Sequence, residues 1–328
     1  MDFLNLLTQN ILSPAILFFA LGIAAGLIKS DLEVPESISR YLSLYLMMAI
    51  GFKGGVAIAN TPDINGEVIT AIGAGLAIGF LQPFLAYGLL RLTTRIDSPT
   101  AAAVAAHYGS ISMVTFATTA AFLKTNDVIY AGYIVAILAL MEAPAILSGL
   151  FIAHKAAPQT KHMPEEKKLA REIFTNGAIL LLTGAFLIGW ITGQKGMNQV
   201  AGFLDTPFQG LLCLFLLDMG LLVARNLHQL RNFTWPLALF GIYMPLIGGA
   251  IGLSASYLIG LDVGTGTLFT VLCASASYIA VPAAMRLALP EAKAAIYLPM
   301  SLAITFPFNV TLGIPLYFTA ATMLLHNS

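Results

Sequence analysis

The sequence predicts an all-α membrane protein of ten transmembrane helices, built as two inverted five-helix repeats with the fourth and ninth helices broken. Three observations predict it. Of 328 residues, 58% are hydrophobic and only 10% charged, against roughly a quarter charged in soluble domains. Ten apolar segments are long enough to cross a hydrocarbon core ~30 Å thick. His107-Tyr-Gly-Ser-Ile-Ser112 and Cys273-Ala-Ser-Ala-Ser-Tyr278 each set a Ser-x-Ser into the middle of an apolar span. In lipid, unwound backbone survives there only when buried in protein or lining a wet cavity, and paired broken helices point to a transporter's substrate site.

The first segment is 11–28; the residues before it, Met1-Asp-Phe-Leu-Asn, carry no basic region, so it reads as a retained span and not a cleaved signal. The second, 39–59, holds Lys53 in a glycine-rich stretch, and the third is 68–91. The fourth, 98–122, contains the first Ser-x-Ser, and the fifth, 128–153, places Glu142 two residues before Pro144. Residues 154–172 are charged and read as a cytoplasmic linker. The sixth segment is 173–192, and the seventh, 207–225, holds Asp218. The eighth is 235–258, the ninth, 264–288, contains the second Ser-x-Ser, and the tenth, 293–320, holds Thr305 and Pro307.

The linker divides the chain into repeat one, 1–153, and repeat two, 173–328. Five spans per repeat is an odd number, so the second enters the membrane inverted. Lys53-Gly-Gly-Val-Ala-Ile-Ala-Asn60 aligns with Met219-Gly-Leu-Leu-Val-Ala-Arg-Asn226, Ser110 and Ser112 with Ser275 and Ser277, and Pro144 with Pro307, in one order and at offsets of 166, 165 and 163. With the N-terminus outside, thirteen Lys and Arg fall in or beside inner loops and only Lys124 and Lys195 outside. The positive-inside rule therefore places both termini at the exterior of a plasma membrane, such as a bacterial inner membrane. Cys213 and Cys273 lie within apolar spans and read as buried small residues.

The interior residues supply the chemistry. A helix that restarts after a break presents unsatisfied N–H groups with about half a positive charge, which suits a small planar monoanion. That reading assigns Gly109, Ser110, Ile111, Ser112, Ala274, Ser275, Ala276 and Ser277 to the anion. Pro144, Pro282 and Pro307 free the carbonyls of Leu140, Tyr278 and Ala303. Such carbonyls, with the Glu142 carboxylate, Ser110, Ser277, Tyr278 and Thr305, make a site for a small hard cation such as sodium. Lys53, Asp218 and His107 are the remaining gating or structural polar groups; Lys53 and Asp218 sit at nearly equivalent repeat positions and are candidates to pair. The chain has no Gly-x-x-x-x-Gly-Lys-Ser/Thr and no His-Glu-x-x-His. ATP-driven transport and zinc-protease chemistry lack their parts, so uphill transport must draw on an ion gradient.

Ile50-Gly-Phe-Lys-Gly-Gly-Val-Ala-Ile58, Gly109-Ser-Ile-Ser112, Met141-Glu-Ala-Pro-Ala145, Ala274-Ser-Ala-Ser277 and Gly313-Ile-Pro-Leu-Tyr317 together resemble the sodium-dependent bicarbonate transporter family, over nearly the whole chain. The resemblance implies a fold similar to that of bile-acid sodium symporters. Spans three to five and eight to ten would form a mobile core, and spans one, two, six and seven a scaffold that assembles a homotrimer. Sodium and bicarbonate would bind where the broken helices cross, and the core would move as an elevator. A PII-like protein on the cytoplasmic face is the regulatory partner that the resemblance implies, with no cofactor beyond sodium and no nucleic acid. The chain departs from cyanobacterial relatives in carrying Tyr278 and Glu142 where they carry aspartates, and in its short inner loop. Two other readings compete: a cation/proton exchanger of the same fold, with Asp218, Glu142 or His107 carrying the proton, and a non-transporting receptor or intramembrane enzyme.

Overall fold

A computed structural model of the chain describes residues 3–60, 66–156 and 177–325, apart from 279, 280, 283, 284, 286–288 and 290. The described residues form helices joined by short turns, with no strand among them. Helices α1 (Phe3–Ile11) and α2 (Pro14–Leu27) meet at a 57° bend. Ser13 caps α2, its hydroxyl accepting from Ile16 N, and Pro14 takes the first helical position, where a missing N–H costs nothing. There follow α3 (Glu36–Ala59), α4 (Gly66–Thr93), α5 (Ser98–Gly109), α6 (Met113–Thr125) and α7 (Ile134–Ala156). The second half contains α8 (Gly177–Leu204), α9 (Phe208–Asn226), α10 (Trp235–Ile259), α11 (Val263–Ala274) and α12 (Ala294–Leu324).

Six of the described helices are singly long and apolar enough to cross a membrane, or up to seven if the bent α1–α2 pair is one span. Several of the other expected segments are interrupted. The fourth is split by the break at Ser110–Ser112, α11 stops at Ala274, and α8 is kinked at Gly193 (φ 55°, ψ −151°), a conformation that only glycine adopts cheaply. In α12, Pro307 sits in a short α-helical turn between two π-helical stretches, Met300–Thr305 and Asn309–Gly313. The widened turns accommodate the missing N–H.

Small residues set the helix pairing. A Cβ on Gly22 would lie 2.1 Å from the Leu217 carbonyl oxygen of α9, and one on Gly220 would lie 2.2 Å from that of Phe19. On the other side, a Cβ on Gly55 of α3 would fall 1.9 Å from the Phe186 oxygen of α8, and one on Gly189 would fall 2.2 Å from that of Phe52. Thus α2–α9 and α3–α8 pack backbone to backbone, the close approach that glycine allows between membrane helices. The other helices pack among themselves: α4 against α5 and α7, and α10 against α11 and α12. Thr100 to Gly109 of α5 and all of α11 are buried. Polar backbone at their ends is thereby kept from lipid. Helix α1 reaches across to α12, where the buried Asn10 amide donates to the carbonyls of Val310 and Thr311, both at 2.9 Å.

Candidate site where two broken helices meet

Each broken helix starts with the same device. Asp97 caps α5 by accepting from Thr100 N, and Asp262 caps α11 by accepting from Thr265 N, both at 2.9 Å. Each also ends alike: Ser110 (φ −92°, ψ 167°) and Ser275 (φ −89°, ψ 168°) turn the chain from helix into extended backbone. Small polar side chains favour such a break because they can bond the backbone groups that the helix no longer pairs.

The two breaks are joined by hydrogen bonds. Ser112 N donates to Ser275 Oγ at 2.9 Å, and Ser275 Oγ donates to Leu272 O. In return, Ser277 N donates to His107 O at 2.9 Å. The His107 Nδ1 lies 2.6 Å from the Ser277 carbonyl. A carbonyl can only accept, so Nδ1 carries the hydrogen and, in the neutral ring, Nε2 is left as an acceptor. Ser112 then caps α6, its hydroxyl accepting from Thr115 N and Thr115 Oγ1. The first-turn N–H groups of α6 therefore lie at the crossing.

Ser110, Ser112, Ser275 and Ser277 are all buried, as are Gly109, Ile111, Ala274 and Ala276. The structure brings these eight expected residues together with His107. Ser110 Oγ and His107 Nε2 are buried without a hydrogen-bond partner among the described residues, and the Tyr278 hydroxyl lies beside Ser112. Buried polar atoms are normally paired, and a cluster that is not marks a place for a ligand or water. Thr305 is already engaged: its hydroxyl donates to Gly241 O at 2.7 Å and accepts from Tyr108 Oη at 2.6 Å, leaving one lone pair. Glu142 falls in α7, which packs on α4 and α5, but its side chain lies outside the described residues.

Two residues that the sequence reasoning missed hold this arrangement. Gln82 of α4 donates through Nε2 to both Tyr108 O (2.6 Å) and Cys273 O (2.7 Å), and so ties the ends of α5 and α11 together. Asn309 of α12 donates to Ala274 O at 2.9 Å, with its own oxygen accepting from Tyr317 Oη. The signal was present, an uncharged amide at membrane depth beside a proline in one case and within a proline-rich helix in the other. A search for charges and hydroxyls passes over both.

Lys53 and Asp218 do not pair. Lys53 bonds Asp205 at 2.6 Å and lies over the Phe208 ring, whereas Asp218 accepts from Ser39. Ser39 and Lys53 are fourteen residues apart on α3, about 21 Å along its axis, so the two charges belong to opposite ends of that helix. The hydrogen bond from Lys53 holds the Asp205 carboxyl below the usual carboxylate range. Lys53 and Asp205 line a cavity of about 570 Å³ with Phe116, Lys124, Asp127 and Gln209. Phe116 lies one helical turn beyond Ser112.

The model of the Na+-dependent bicarbonate transporter superfamily matches residues 14–322, which leaves only α1 and the last few residues outside it. No curated protein matches the chain.

Proposed function

The chain belongs to the Na+-dependent bicarbonate transporter superfamily, and from that premise we propose that it is a secondary active transporter coupling inward sodium movement to bicarbonate import. Membership makes it a multi-pass membrane transporter, not an enzyme, with sodium as the coupling ion. The observation that carries the site is the junction of the two breaks, where buried atoms of Ser110 and His107 at the start of α6 have no partner among the described residues. N–H groups at the start of α6 and the Ser110 hydroxyl bind the charged oxygens of a planar monoanion without any basic residue. Sodium takes oxygens from Glu142, Ser110, Ser277, Tyr278 and Thr305, with freed carbonyls completing the shell.

The pairing of helices supports an inverted-repeat fold of the bile-acid symporter type. Exchanging the halves maps α2–α9 onto α8–α3 and α4–α5 onto α10–α11, and each of these pairs is in contact. The matching aspartate caps and serine ends of α5 and α11 point the same way. On this reading α2, α3, α8 and α9 are the scaffold, and α4–α7 with α10–α12 the core that slides as an elevator. The 570 Å³ cavity is an outer vestibule beside α6, with both termini outside. The scaffold forms the homotrimer, and a PII-like protein is the candidate partner on the inner face.

The test is uptake of labelled bicarbonate into proteoliposomes under an inward sodium gradient, with wild type and Glu142→Gln compared. Uptake is expected to require sodium, to survive collapse of the pH gradient, and to fall at least about tenfold in the variant, which corresponds to about 1.4 kcal/mol of lost cation binding. Uptake that collapses with the pH gradient would favour the cation/proton exchanger. No uptake by the wild type would sink the bicarbonate assignment.

A further inference from the structure

Gln82 is 5% exposed, and its amide is oriented by its partners. Reversed, it would set its oxygen 2.6 and 2.7 Å from two carbonyl oxygens, none of which can donate. Nε2 must therefore face Tyr108 and Cys273, and Oε1, about 2.2 Å from Nε2 by amide geometry, is left buried with no partner among the described residues. Gly248 of α10 leaves room for the bond between Nε2 and Cys273 O, since a Cβ there would meet Cys273 O at 2.2 Å and Gln82 Nε2 at 3.0 Å. The result is one neutral acceptor at the point where α5 and α11 end.

Bicarbonate has two kinds of edge. Two oxygens share its negative charge and accept hydrogen bonds, while the third carries a proton and donates. The crossing has both polarities to match: N–H groups where α6 begins, and helix-terminal carbonyls where α5 and α11 end. Gln82 consumes two of those carbonyls and presents a single amide oxygen in their place. A hard cation wants about six oxygens around it. Here the nearest carbonyls are occupied, and the electropositive amide nitrogen lies between them, so the oxygen suits one O–H donor better than a cation.

We propose that Gln82 is a specificity-determining residue whose Oε1 accepts the hydroxyl hydrogen of bicarbonate, so that the site selects a protonated planar monoanion. The inference rests on the transport reading above and deepens it. Nitrate has the same planar shape and charge but no hydrogen. Binding it leaves the amide oxygen unpaired, a defect that sites built around a substrate hydroxyl reject strongly.

The experiment is sodium-driven uptake of labelled bicarbonate in proteoliposomes at mildly alkaline pH, with nitrate as competitor. In the wild type, nitrate should need at least about a hundredfold higher concentration than unlabelled bicarbonate to inhibit equally. Gln82→Met should bring the two within about fivefold, chiefly by weakening bicarbonate, with the half-saturating sodium concentration unchanged. Gln82→Glu should keep most of the discrimination, because a carboxyl facing two carbonyls stays protonated and retains both a donor and an acceptor. Equal inhibition by nitrate and bicarbonate in the wild type overturns the proposal whatever the variants do. So does a Gln82→Met protein that keeps its anion preference but needs more sodium, since the oxygen would then serve the cation. Absence of any bicarbonate uptake by the wild type is a different result, and removes the transport reading itself.

Discussion

Ser110 and Ser275 share a backbone conformation but differ in what their hydroxyls do. Ser275 Oγ accepts from Ser112 N and donates to Leu272 O, while Ser110 Oγ has no partner among the described residues. Their alanine variants should therefore separate stability from binding. Ser275→Ala strands a buried N–H and should cost about 1–3 kcal/mol of stability. Ser110→Ala removes no hydrogen bond made among the described residues and should cost less than about 1 kcal/mol. Its half-saturating bicarbonate concentration should nevertheless rise about tenfold if its hydroxyl donates to the anion. Thermal unfolding in detergent and uptake kinetics read the two effects separately. The serines themselves were legible in the sequence, because a small polar pair in a long apolar span has few other reasons to be there. Gln82 was not, since an amide's importance depends on which carbonyls come within its reach, and those belong to residues 26 and 191 positions away.

At the scale of elements, glycine position decides which helices pack backbone to backbone. Gly55→Ala pushes a methyl group into the Phe186 carbonyl and the Trp190 amide of α8. Backbone cannot give way as a side chain can, so the loss should reach at least the 1–3 kcal/mol typical of overpacking, seen as a lower unfolding temperature. Gly88→Ala in α4 meets nothing within 4 Å and should be neutral or gain up to about 1 kcal/mol from helix propensity. A similar gain from both variants would mean that propensity and not packing governs these helices. The helical segments were legible from hydropathy because lipid demands long apolar runs. Their interruptions were legible only in part. The breaks after Gly109 and Ala274 announce themselves by serine, whereas the π-helical stretches of α12 and the bend before Pro14 depend on the neighbours those residues pack against. The alignment left open whether Lys53 and Asp218 pair, and they do not, for a reason of depth: alignment of two segments does not place them at one level of the bilayer.

For the whole molecule, the pairs α2–α9 and α3–α8 pack backbone to backbone, so on the elevator reading proposed above the movement falls between them and the remaining helices. Asn10 bridges that boundary. Both its amide hydrogens are spent on Val310 and Thr311 of α12, and it belongs to α1, the helix that the family match leaves out. If α12 travels with the site, each cycle must break and remake these two bonds. Asn10→Leu is then expected to raise the maximal uptake rate several-fold, the effect of about 1 kcal/mol off a barrier, with the half-saturating concentrations of sodium and bicarbonate unchanged. A slower or unaltered rate would show that α1 and α12 move together. The clamp would thus set tempo and leave appetite alone: a dwell time, written into a helix that precedes the matched region, by which uptake can be paced without any change in what is carried.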